Sequence, residues 1–314
     1  MTDILITAPL PDFLKQPLMS TYTCHDYAGA SDKAALLKAV GPKIRGLVQG
    51  GGTNTPVELL DRLPKLEVIS VFGVGYDGVP VAYCKQRGIK VGHTPDVLTD
   101  DVADVALGLT LTLMRQFHLA NRLVHAREWP KRNAALATSM AGKRAGILGL
   151  GRIGKAIARR LAACEMQIGY HGRKPQPGVA YKYYPTLLEL AKNSDVLVVA
   201  SPGGAETKHM VNAEILAALG PKGKVVNIAR GSVIDEPALI AALTSGKLGG
   251  AGLDVFANEP NVPAELLALD NVVLFPHVGS ATKETRQGMA DLVLANLAAY
   301  FAGKPLVKLI PELQ

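Results

Sequence analysis

The sequence predicts an α/β protein made of two doubly wound parallel-sheet domains. Three observations carry that prediction. Short β-branched runs alternate with helical patterns in two separate stretches, a long helical pattern divides the stretches, and 314 residues exceed what one hydrophobic core usually serves. In the first stretch the strands read Ile4–Ala8, Ile44–Gln49, Val68–Phe72 and Lys90–His93, with helical spacing between them, as at Asp32–Val40. In the second they read Arg144–Leu148, Met166–Tyr170, Asp195–Ala200, Lys224–Ile228, Gly250–Asp254 and Val272–Phe275. The dividing helix is expected from about Asp100 to Arg127, because Val102, Val105, Ala106, Leu109, Leu113 and Leu119 follow helical spacing and Thr99 suits an N-cap. A last amphipathic helix is expected at Lys283–Phe301, and the dozen residues after it are too few for a core of their own. Docked back on the first lobe, they make that domain discontinuous: 1–98 with 284–314, around a central domain of 99–283.

Composition narrows the function. Apolar residues make up 48% and charged residues 19%, a globular mix, and no apolar run approaches the roughly 20 residues of a membrane span. The start, MTDILITAPLPDF, places Asp3 early and lacks the basic opening and cleavage pattern of a signal peptide. The three cysteines, Cys24, Cys84 and Cys164, lie far apart with no CxxC, which argues for reduced thiols in the cytosol, hence an expected cytoplasmic location, and against a zinc site. The net charge of +7 comes from dispersed Lys and Arg with no block that reads as a nucleic-acid arm.

The pattern GxGxxG occurs twice, at Gly73, Gly75, Gly78 and at Gly149, Gly151, Gly154. A dinucleotide site needs a strand before the glycines and a long helix beginning inside them, so that the helix N-terminus meets the pyrophosphate. The second match satisfies this: RAGIL precedes it, and a helix from about Arg152 to Ala163 places Ile153, Ile157 and Leu161 on one face. This marks the central domain as Rossmann-type. At the first match Pro80 starts a helix only after Gly78 and Gly88 stops it early, so that loop is either a tight turn or a pair of backbone N–H groups, at Val74 and Gly75, for a substrate carboxylate.

Cofactor choice is read about 20 residues after the glycines, where an acidic side chain would bind a ribose 2′-hydroxyl. Here the text is GYHGRK, with no acid; Arg173 stands 19 residues after Gly154 and Lys174 follows it. Two cations attract a 2′-phosphate, so NADP(H) is the expected cofactor.

Three segments stand just past strand ends, where such a fold places its chemistry: NIARG at 227–231, DVFANEP at 254–260 and FPHVGS at 275–280. Each supplies one group that reduction of a 2-keto acid requires. Arg230 is a fixed cation for the carboxylate and carbonyl, His277 is a proton donor, and Glu259 is a carboxylate partner that favours the protonated imidazole. Singly, each has an ordinary structural reading, and a lone histidine is more often a satisfied core residue; together they mark a site.

In these residues and their surrounding motifs the chain resembles the D-isomer-specific 2-hydroxyacid dehydrogenase family. LGLGRIGKAIARRL, VVNIARGSVIDEPALIAAL, GAGLDVFANEP and NVVLFPHVGSAT follow in the family's order, and VFGVGYDGVPV and TPDVLTDDVADVALGL match as well. YHGRKP and ASPGGAETKHMVN are similar to the family's NADPH-dependent glyoxylate/hydroxypyruvate reductases. The resemblance implies a flavodoxin-like substrate domain from both chain ends, a Rossmann-type cofactor domain, and a homodimer built largely on the helix near Asp100. It implies that Arg230 and His277 bind substrate with Val74 and Gly75, that His277 is the acid/base, and that Glu259 orients it. It assigns the cofactor to Gly149, Gly151, Arg152, Ile153, Gly154, Arg173, Lys174, Ser201, Pro202, Thr207, Ile228, Ala229, Arg230, Asp254, His277 and Gly279, with no metal. Ser201 stands where many relatives have Cys, and Trp129 lies where an aromatic either reaches a neighbouring subunit's site or serves structural packing.

The expected activity is therefore NADPH-dependent reduction of small 2-keto acids, such as glyoxylate and hydroxypyruvate, to D-2-hydroxy acids. Two rivals stand beside it: a reductase of larger keto acids such as 2-ketogluconate, and a dinucleotide-sensing corepressor, against which the lack of extra tails argues.

Overall fold

The computed structural model describes residues Met1–Gln314. They form two compact units, Met1–Leu98 with Thr282–Gln314, and Thr99–Ala281.

The first unit runs β1 (Asp3–Ile6), α1 (Asp12–Thr21), β2 (Thr23–Asp26), α2 (Lys33–Val40), β3 (Ile44–Gly50), α3 (Val57–Asp61), β4 (Val68–Phe72), α4 (Val81–Gln86) and β5 (Lys90–Gly92). Its five strands lie in the order β2-β1-β3-β4-β5, all parallel. A parallel sheet covered on both faces needs apolar side chains on both, and Leu47, Val48, Ile69 and Val71 are fully buried. The C-terminal helix, Lys283–Phe301, is capped by Thr282 Oγ1 accepting from Thr285 N and packs against β4. The tail then returns along the sheet edge: His93 N donates to Lys308 O at 3.1 Å, Ile310 N to Val91 O at 3.0 Å, and Ile310 enters the core.

The second unit runs α5 (Thr99–Arg115), α6 (Phe117–His125), β6 (Arg144–Leu148), α7 (Arg152–Ala163), β7 (Gln167–His171), β8 (Lys182–Tyr183), α8 (Leu187–Lys192), β9 (Val196–Val199), α9 (Ala213–Leu219), β10 (Lys224–Asn227), α10 (Glu236–Thr244), β11 (Gly250–Leu253), α11 (Ala264–Leu267) and β12 (Val272–Leu274). Its seven strands lie in the order β12-β11-β10-β9-β6-β7-β8, again all parallel, so the direction of winding reverses between β6 and β9. Doubly wound sheets bind ligands outside the strand carboxyl ends at such a switch point. The buried face of α5, from Val102 to Met114, packs on α7 and on β10 to β12. Arg160 joins the two helices through Asp100 at 3.0 Å and Asp104 at 2.6 Å.

Both sheets agree with the predicted fold class. Two predicted details change. The long helix expected from Asp100 to Arg127 is broken at Gln116, whose left-handed backbone (φ +52°) ends α5 and lets α6 start in a new direction. Thr99 is the first helical residue rather than the cap. Edge strands β2 and β8 were not foreseen, since TCHD and KY carry no apolar run to announce a strand. No helix is long and apolar enough to cross a membrane.

Candidate active site

The switch point is built from glycine. Gly149 ends β6 at φ +92°, and a Cβ there would meet the Ser201 backbone at 2.8 Å, so only glycine lets the ends of β6 and β9 come together. Gly154 lies in the first turn of α7, where a Cβ would strike Gly149 O at 2.1 Å; its absence lets the helix start directly on the loop. Gly151 is the N-cap of α7, offers no side-chain cap and has open space where its Cβ would stand. Arg152 and Ile153 open the helix, whose start carries no side-chain cap and presents the positive end of its dipole. Beside them the buried Ser201 Oγ has no hydrogen-bond partner. Glycine cradle, uncapped helix start and orphaned hydroxyl together fit the pyrophosphate of a dinucleotide.

The neighbouring loops complete this end of the sheet. Thr207 Oγ1 donates to Pro202 O at 2.8 Å and folds the 202–207 segment on itself. Arg173 and Lys174 follow β7 as exposed side chains. Ile228 is buried and Ala229 half-buried in the turn after β10.

That turn positions Arg230. Asn227 is buried at the end of β10; its side chain accepts from Ala229 N at 3.0 Å and donates to Arg230 O at 2.9 Å. Arg230 Nη1 donates to Ala229 O at 2.8 Å. Gly231 follows against the next loop, where a Cβ would stand 1.9 Å from the Phe256 carbonyl carbon. The turn that carries Arg230 therefore rests directly on the loop that carries Glu259.

Glu259 and His277 meet. His277 Nδ1 lies 2.7 Å from Glu259 Oε2, and a carboxylate can only accept, so Nδ1 carries the proton and Nε2 is left for exchange with a substrate. The other carboxylate oxygen, Oε1, accepts from Phe256 N at 3.0 Å. Burial pushes the Glu259 carboxyl upward, but the His277 and Phe256 hydrogen bonds, with the charges of His277 and Arg230, outweigh it and hold Glu259 below the usual value. Arg230 acts on the same carboxylate that steadies the imidazole.

His277 stands on a left-handed backbone at φ +53°, fixed from below by Asp254. Asp254 O accepts from His277 N at 2.9 Å, Oδ1 from Val278 N at 2.7 Å and Oδ2 from Gly279 N at 2.9 Å. Only 1% of Asp254 is exposed, and burial raises its carboxyl above the usual value despite those N–H groups and His277. Asp254 and Gly279, assigned to the cofactor by resemblance, are thus also the clamp on the histidine loop.

In the first unit, Val74 and Gly75 follow β4. His93 Nδ1 donates to Val74 O at 3.0 Å, Thr94 N donates to Gly73 O at 2.9 Å, and no backbone carbonyl takes the N–H of Val74 or Gly75. Gly73 packs so closely on Gly51 that a Cβ would stand 2.7 Å from its Cα. The helix α4 begins only at Val81, so this loop opens no helix of its own.

Sequence reasoning missed Asn227, Gly231 and the backbone N–H of Phe256. Asn227 and Gly231 lie inside a segment already marked by Arg230, and the only signal for either was its place beside that arginine.

Residues 107–279 match the model of the D-isomer specific 2-hydroxyacid dehydrogenase NAD binding domain. The chain is 47% identical over 304 residues to glyoxylate/hydroxypyruvate reductase A of Arabidopsis thaliana, covering 97% of each. It is 44% identical over 305 residues to 2-ketogluconate reductase of Gluconobacter oxydans, again covering 97% of each. The solved structure of an NADPH-dependent glyoxylate/hydroxypyruvate reductase from Sinorhizobium meliloti, in complex with NADP and malonate, superposes with a TM-score of 0.91 at 42% identity, over 99% of this chain and 97% of that one. Fold, site geometry and these likenesses agree, and the chain belongs to the D-isomer specific 2-hydroxyacid dehydrogenase family.

Proposed function

We propose that the protein reduces small 2-keto acids such as glyoxylate and hydroxypyruvate to D-2-hydroxy acids with NADPH. The observation that carries this is the His277–Glu259 hydrogen bond of 2.7 Å, with Arg230 acting on the same carboxylate. When bound, NADPH supplies the hydride. Arg230 holds the substrate carboxylate and polarises the carbonyl. His277, protonated on both nitrogens, gives the Nε2 proton to the carbonyl oxygen and keeps its Nδ1–H on Glu259. Glu259 accepts that Nδ1–H throughout and fixes the orientation of the ring. Asp254, through the N–H groups of residues 277–279, keeps the ring in place.

Thr99–Ala281 is the cofactor domain in this reading, with the residues of the glycine cradle, Ser201, Pro202, Thr207, Ile228, Ala229, Asp254 and Gly279 along the dinucleotide and Arg173 and Lys174 on its 2′-phosphate. Met1–Leu98 with Thr282–Gln314 is the substrate domain, with Val74 and Gly75 in the loop after its β4. A homodimer is supported by the exposed Phe117, Val124, Trp129 and Leu136 on α6 and the segment after it. A cytoplasmic location is supported by three free, separated cysteines.

The 44% likeness to 2-ketogluconate reductase favours one second reading, a larger keto acid as preferred substrate. NADPH oxidation measured with glyoxylate, hydroxypyruvate, pyruvate, phenylpyruvate and 2-ketogluconate tests both. The highest kcat/KM on the two smallest hydroxylated or unsubstituted acids supports the first reading, and on 2-ketogluconate the second. No turnover with any 2-keto acid overturns both and favours a dinucleotide-sensing binding protein.

A further inference from the structure

A dinucleotide phosphate is recognised at two places a fixed distance apart, the pyrophosphate at the start of α7 and the ribose 2′-phosphate after β7. One side chain ties the protein loops at these places together. Gln176 Nε2 donates to Leu150 O, inside the glycine loop, at 2.7 Å. Gln176 N donates to the hydroxyl of the buried Tyr170 on β7 at 2.8 Å. Gln176 stands three residues after Arg173 and two after Lys174, between Pro175 and Pro177, whose rings restrict the backbone on both sides.

The rest of the loop is braced the same way. Tyr183 OH donates to Gly172 O at 3.2 Å, and its ring stacks on His171 with centroids 6.4 Å apart and planes at 21°. His171 Nδ1 donates to Tyr184 O at 2.9 Å, which fixes the ring at the end of β7. Arg173 and Lys174 are long exposed side chains, and holding them over a phosphate costs conformational entropy unless the backbone beneath is already set.

We infer that Gln176 is a positioning residue for cofactor choice: by bridging the glycine loop and the Arg173–Lys174 loop it sets the distance between the pyrophosphate and 2′-phosphate subsites. This rests on the reading that Arg173 and Lys174 hold the 2′-phosphate. A residue acting this way affects ligands that carry the 2′-phosphate and leaves ligands without it nearly untouched. A residue that only supports the fold weakens both alike.

The test is calorimetric binding of 2′,5′-ADP and of 5′-AMP to the full-length protein, which reads affinity without turnover. Gln176→Met keeps side-chain size and charge but removes the Nε2 donor. It is expected to weaken 2′,5′-ADP about fivefold, the scale of one hydrogen bond, and to leave 5′-AMP within about twofold. The NADPH/NADH ratio of KM values should shift in step. Arg173→Ala runs beside it and should remove most of the preference for 2′,5′-ADP. An unchanged preference in Gln176→Met, with the Arg173→Ala preference lost, overturns the role of Gln176 alone. Equal weakening of both nucleotides in Gln176→Met overturns it in favour of general support. A preference that survives Arg173→Ala overturns the 2′-phosphate reading beneath it.

Discussion

His277 works from a backbone that few residues adopt, at φ +53°, and Asp254 holds it there through three consecutive N–H groups. Asn tolerates the same region, so His277→Asn is the substitution that removes the imidazole with least change in the loop. It should lower kcat by about 10²- to 10⁴-fold in NADPH oxidation measured with glyoxylate at saturating NADPH. Near-normal turnover would end the proton-donor role. Glu259 gives a prediction in pH. Its carboxyl ordinarily titrates near 4.5 and lies lower when folded, so its pairing stabilises the fold above that value and is lost as pH falls through the folded one. About a third of the side chain is open to water, so the contribution is modest. The stability difference between wild type and Glu259→Gln in urea should be present at pH 7 and shrink at pH 3.5; a difference that grows with acid would reverse the sign. The sequence marked Arg230, Glu259 and His277 because each ends a strand and carries a charge that keto-acid chemistry uses. Asn227 and Gln176 were silent because what they do is bond a carbonyl or an N–H, and no spacing rule announces that.

At the scale of elements, the strand–glycine–helix unit was legible nearly to the residue: β6 at Arg144–Leu148 and α7 at Arg152–Ala163 match the predicted bounds. There, periodicity, turn chemistry and an amphipathic helix face all point one way. The misses have physical causes. β2 and β8 gain their strand character from pairing at a sheet edge, not from side-chain burial. The break at Gln116 sits inside an unbroken helical pattern, because one left-handed residue changes direction without changing the spacing of apolar side chains on either side. Packing of α7 on the loop before it depends on Gly154, where a methyl would lie 2.1 Å from Gly149 O. Gly154→Ala should therefore cost about 1–3 kcal/mol in denaturant unfolding and weaken NADPH binding in the same protein. Wild-type values for both would show that the contact relaxes freely.

Across the molecule, two parallel sheets were expected from alternation of strand and helix, whereas their strand orders and the exposed surface at Trp129 and Leu136 were not legible, since both follow from the path of the chain. If that surface forms the dimer, Trp129→Asp with Leu136→Asp should sediment as a monomer with unchanged circular dichroism; a variant that still sediments as a dimer would move the contact elsewhere. The order of the larger sheet carries one more consequence. Arg230, Glu259 and His277 follow β10, β11 and β12 on one wing, whereas Arg173, Lys174 and Gln176 follow β7 on the other, with β9 and β6 between them. In the proposed reading, selection of the reductant and formation of the alcohol therefore fall on opposite flanks of a single scaffold, and a change on one flank is expected to leave the other intact. Losses of kcat/KM from Arg173→Asp and His277→Asn, combined in one chain, should simply multiply.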